Sequence, residues 1–166
     1  MAKALLISRA DLVKFTSANG NIDTDKFIQY ISQAQDIHIQ NMTGTDLLEK
    51  IQADIIAGTL LDPYLSLLKD YIKPCLIHYA MVMYLPYGAY TIGNKGIYKH
   101  GSENSETASK EEVDFLREQE RQTAEYYKQR FIDYICDNST LFPEYSSNTG
   151  SDVNPSTDNG FAGWVL

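Results

Sequence analysis

Positive charge is scarce in this chain, and after Asn138 there is no lysine or arginine at all. Fourteen basic residues stand against 22 acidic ones, a formal net charge of −8 at pH 7. A surface of that sign repels phosphate, which argues against a sequence-independent clamp on DNA or RNA. It would still suit nucleic acid that must pass without sticking. Cysteine is nearly absent too: Cys75 and Cys136 both fall inside apolar helical patterns and have no partner at metal spacing. They read as two buried, reduced thiols rather than a disulfide. The chain lacks a long apolar run. Its most apolar stretch, residues 60–85, is broken by Asp62, Lys69, Asp70, Lys73 and His78, which excludes a transmembrane helix. The opening MAKALLISRADL is too short an apolar run for a signal peptide. These gaps together read as a soluble protein made in a reducing cytoplasm.

Catalytic motifs are missing as well. There is no G-x-S-x-G, no Walker A and no H-E-x-x-H run. His38 and His78 lie on apolar faces and read as core histidines, and His100 reads as a solvated loop residue. The GNKG turn at 93–96 lacks the glycine spacing of a phosphate loop. The Asp23/Asp25 pair lacks the glycine and closing glutamate of a calcium loop. Seven acids between Glu103 and Glu120 read as a solvated face. No metal or other cofactor is expected, and the chain does not read as an enzyme.

What is present is helical periodicity. At 166 residues the chain suits one domain. Ser8 caps a short helix through Phe15, with Asp11 in its first turn. A second helix follows Asp23, with Phe27, Ile28, Ile31, Ala34, His38 and Met42 on one face, and ends at Gly44. Asp46 and Glu49 have the spacing of a capping box for a third helix that stops at Gly58. Asp62-Pro63 opens a fourth, apolar nearly all round to Leu85, with a kink or a junction of two helices expected at Pro74. Residues 86–108 then hold four glycines and an alternation around Gly93-Asn94-Lys95-Gly96 that suits a β-hairpin or an extended loop. Ser109 and Glu112 form a capping box for a fifth helix reaching about Asp137, roughly 40 Å long. Such a helix must lie against several partners or project beyond the body. Twelve tyrosines either fill half-buried helical positions or make a sticky surface.

The expected fold class is therefore mainly α. It is a bundle of about five helices with a long loop or β-hairpin between the last two long ones, and an extended C-terminal tail. Residues 1–137 form the helical domain, with the loop 86–108 inserted, and 138–166 an arm of turn and linker chemistry. That arm ends on an apolar plug of Phe161, Trp164, Val165 and Leu166, including the only tryptophan.

The order of parts, with the runs ISQAQDIHIQNMTG, LKDYIKP and IGNKGI, resembles the head–tail connector (adaptor) proteins of tailed bacteriophages, closest to the ring proteins of the crAss-like phages. The likeness covers roughly residues 5–137. It implies a structural virion protein at the head–tail interface, made in the bacterial host cytoplasm. Such a protein forms a homo-oligomeric ring, commonly of twelve copies, beneath the portal protein. The ring extends the channel for double-stranded DNA without sequence-specific binding, and it carries further neck and tail ring proteins. The resemblance assigns ring or channel contacts to the loop residues Ile92, Asn94, Lys95, Gly96, Ile97 and Tyr98. It assigns partner docking to Phe161, Trp164, Val165 and Leu166, by position alone. Glu103, Glu106, Glu111 and Glu112 are the acids offered for a channel-facing wall. The tail could also return to a groove of its own bundle, and the reading favours docking in trans as an assembly latch. The rival reading is a cytosolic helical adaptor with a C-terminal docking motif and no ring; an enzyme on a helical bundle is a third.

Overall fold

Helix starts are set by short polar residues and helix ends by glycine, and the chain follows those signals closely. The computed structural model describes residues 3–18, 24–88, 90–93, 96–99, 108–147 and 152–156. Helix α1 is Arg9–Phe15, and Ser8 and Asp11 close the reciprocal capping box expected of them. Helices α2, Thr24–Ala34, and α3, Gln40–Thr43, are joined by a π turn at Gln35–Ile39. Gly44, at φ 76°, ends that run, a conformation that costs a residue with a Cβ far more. Helix α4, Thr45–Ala57, stops at Gly58 in the left-handed region.

Helices α5, Tyr64–Leu67, and α6, Lys73–Tyr84, enclose a second π turn at Leu68–Ile72. The irregularity expected at Pro74 takes this form. A proline cannot donate to the ladder, and the widened turn before it accommodates the missing bond. After a 3-10 turn at Leu85–Tyr87, strands β1, Tyr90–Gly93, and β2, Gly96–Lys99, pair antiparallel, with Ile92 opposite Ile97. Helix α7, Lys110–Asp137, begins with the Ser109/Glu112 box. A 3-10 turn at Ser139–Leu141 leads to α8, Pro143–Ser147.

The architecture is thus mainly α, as the periodicity implies, with the hairpin between the two long helical runs. α6 lies at the centre and packs against α2 on one side and α7 on the other. This explains why it is apolar all round. Phe27, Ile31, Leu76, Ala80, Phe131 and Ile135 meet in one core that runs from Leu6 to Tyr145.

Three local expectations are corrected. Asp46 and Glu49 do not box the start of α4, because the N-cap position falls on Gly44, two residues earlier. Its first N–H, from Thr45, is instead taken by the Val153 carbonyl at 3.0 Å. Cys136 is exposed, whereas Cys75 is buried and free. Cys136 follows the buried Ile135 on α7 and turns outward one step round the helix. Finally, packing continues past Asp137. Phe142 is fully buried, edge-on to Tyr64 at 5.5 Å between centroids. Tyr145 is buried against Phe131. The first part of the arm is therefore held on the body.

Candidate assembly surfaces

Helix α7 is fully buried over only part of its length. Its buried residues are Ala124, Phe131, Ile132 and Ile135, so no residue before Ala124 is buried. The N-terminal turns carry Glu111, Glu112, Phe115 and Leu116 into solvent. Phe115 keeps 64% of its surface and Tyr126 62%. These two lie eleven residues apart, which returns to within about 20° of the same side of a helix. That side faces away from Ala124. Between them stand the exposed amides Gln119 and Gln122. The outer face of α7 is thus a neutral stripe with an aromatic ring near each end. Charged residues flank it: Arg121 pairs with Glu118 at 2.6 Å and with Glu125 at 3.4 Å. The bonds that Arg121 and Gln122 donate hold the Glu118 carboxyl down at about 2. A helical projection of the sequence alone would have placed Phe115 and Tyr126 on one side; a search for buried stripes passes over them.

Of the acids offered for a channel wall, Glu111 and Glu112 are exposed in the first turn of α7. Glu112 also serves the helix itself, accepting the Ser109 N–H at 2.7 Å. Glu103 and Glu106 lie outside the described residues. So do Asn94 and Lys95 at the tip of the hairpin, and the tail residues Phe161, Trp164, Val165 and Leu166. The backbone of Ile92, Gly96, Ile97 and Tyr98 forms the hairpin as the alternation implies. Tyr90 at its base is exposed. Two paired strands alone are marginally stable in water, and a third strand or a packed face is what steadies them. The hairpin has no third strand among the described residues.

A second surface is one that the charge count hides. Lys14 on α1, Lys69 and Lys73 near the start of α6, and Arg130 on α7 line one cleft. Its floor is aromatic: the Arg130 guanidinium sits 5.3 Å from the Tyr71 ring centroid and 5.9 Å from that of Tyr127. Asp11, 3.7 Å from Lys73, and Asp70 also line the cleft and offset part of the charge. Four of the few cations of an acidic chain are therefore gathered in one place. They come from three separate stretches of the sequence, so no single local run reveals the group. His78, also in this cleft, meets Glu120 at 2.6 Å and stacks on Tyr127. His38 stacks on Tyr79 with centroids 3.8 Å apart, and burial lowers its pKa. Both histidines have structural partners of the kind expected. Burial pushes the Cys75 thiol and the Tyr79 phenol well up, and the Tyr64 phenol up to about 12 with help from Glu144. Among the described residues no group of three or more potential ligands could hold a metal ion, and no helix is long and apolar enough to cross a membrane.

The third surface is a strap. Residues 152–156 lie across the junction of α3 and α4. The Val153 N–H donates to Thr45 Oγ1 at 3.0 Å, the Gln40 amide donates to Asp152 at 2.7 Å, and the Ser156 N–H donates to the Asn41 carbonyl at 2.7 Å. The strap does the capping that local sequence does not do for α4.

Residues 39–155 match a family model described as a family of unknown function, DUF6712, and the chain belongs to that family. The matched stretch runs from the end of the first π turn through most of the strap. Neither a curated protein nor a solved structure matches the chain.

Proposed function

We propose that this DUF6712 member is a structural, non-enzymatic protein that assembles as a head–tail connector ring beneath a phage portal. In this reading the ring extends the DNA channel, and later neck proteins stand on it. The observation that carries the proposal is the outer face of α7, where Phe115, Leu116 and Tyr126 are exposed. Aromatic residues set in a polar surface are the composition of interface centres. A ring gives every subunit the same two neighbours, so a face of this kind is covered all round by one repeated contact. The hairpin supports the reading by the same logic, since a neighbour would supply a third strand to the two described. The acidic balance suits a channel through which phosphates slide, and the tip at 161–166 is the latch to an adjoining ring.

The test is negative-stain imaging of purified portal rings with and without the protein. The expected result is a second tier with the rotational symmetry of the portal. Portal rings that stay bare, or that carry single copies without symmetry, would overturn the proposal.

The cationic cleft favours a second reading. Lys14, Lys69, Lys73 and Arg130 over an aromatic floor would also accept an acidic peptide, as a cytosolic helical adaptor requires. An adaptor would bind such a peptide as a monomer.

A further inference from the structure

The tip of the chain is apolar, and the body has an apolar groove beside the point from which that tip departs. The groove runs along α4; Leu48, Ala53, Ile56 and Ala57 give it its apolar lining, and Lys3, Glu49 and Gln52 also border it. Ile56 keeps 58% of its surface exposed, and Ala53 and Ala57 are also exposed. The space is about 530 Å³, inside the roughly 300–1,000 Å³ range of ordinary ligand clefts. Two residues on its rim, Gln40 and Thr45, are the ones that hold Asp152 and Val153 of the strap.

We propose that in the free chain the C-terminal tip, residues 161–166, docks in cis in this groove along α4. The strap fixes the chain as far as Ser156. Trp164 is eight residues further on, an extended reach of roughly 26–29 Å. Helix α4 rises only about 18 Å from its first residue to its last. The reach therefore covers the groove with slack for a change of direction, and Asp158-Asn159-Gly160 is turn chemistry placed just before the apolar residues. A tether this short holds the tip at an effective concentration in the millimolar range, which a second copy in dilute solution does not match. The apolar tip and the apolar groove then cover each other until an assembly partner competes for the tip. This goes beyond the connector reading and does not depend on it.

Trp164 is the only tryptophan, so its fluorescence reports the tip alone. In the full-length chain its emission is expected to be blue-shifted, and acrylamide quenching several-fold weaker, relative to a peptide of residues 157–166. Neither value should change on dilution. Ile56→Asp and Ala53→Arg, both at exposed positions, should each return Trp164 to the behaviour of the peptide with helix content by circular dichroism unchanged. Emission and quenching equal to the peptide's in the unaltered chain would overturn the proposal. Shielding that fades on dilution would place the tip on a second copy, and shielding that survives both substitutions would place it on another surface; either also overturns it. No portal or ring enters these measurements, so their failure is distinct from failure of the connector reading.

Discussion

Gln35, fully buried in the first π turn, accepts the Leu6 N–H at 3.0 Å and donates to the Ala4 carbonyl at 3.0 Å. Gln52 on α4 reaches the same carbonyl at 3.1 Å. Two side-chain amides thus satisfy backbone groups of the N-terminal segment where no secondary structure would. A glutamine in a helical pattern reads as a surface residue, so this role is not visible before the fold is known. Asp11 is the opposite case, since its place beside Ser8 is readable as a cap. Burial works against its ionisation, but the N–H and hydroxyl of Ser8 and the ammonium of Lys73 outweigh it and leave its pKa below the ordinary value. A carboxylate with a lowered folded pKa adds stability above its unfolded pKa, about 3.9, and loses it as pH falls through the folded value. Asp11→Ala should therefore cost about 1 kcal/mol at neutral pH, and the gap to the unaltered protein should close in stronger acid. Thermal melts at stepped pH would read this. A penalty that persists undiminished at the acid end would contradict the assignment.

The helices were legible because their boundaries are local. Ser8, Ser109, Gly44 and Gly58 act within a few residues of where they stand. The start of α4 was not, because its cap comes from Val153, more than a hundred residues away. The first π turn escaped for another reason: one extra residue in a turn shifts the apolar stripe too little to break a helical pattern. Composition also misplaced the end of the folded body. Residues 138–147 are polar enough to read as linker, yet Phe142 and Tyr145 anchor them between α5 and α7. Two isolated aromatics in a polar stretch were the available signal. Phe142→Ala should accordingly cost about 3–5 kcal/mol, the range for emptying an aromatic site in a core. Urea denaturation would measure it; a loss within a few tenths of a kcal/mol would mean that this segment does not belong to the folded unit.

At the scale of the molecule, composition and packing point outward. The bundle fills its core with α6 at the centre, yet leaves an aromatic stripe exposed on the outer face of α7. The sequence carried the parts of this surface but not their arrangement. The cations of the cleft come together only when α1, α6 and α7 are packed. The outer face of α7 is proposed as the contact between subunits of a ring built on a portal. Mass photometry of portal rings tests it most directly, using the unaltered protein and the Phe115→Asp, Tyr126→Asp double variant in parallel. Both substitutions fall on exposed positions, so the variant should fold. The unaltered protein should add one mass step, an integer multiple of its 18.8 kDa matching the portal's symmetry, and the variant should add none. An equal mass step from both proteins would contradict the role of this face, and no step from the unaltered protein would contradict the ring itself.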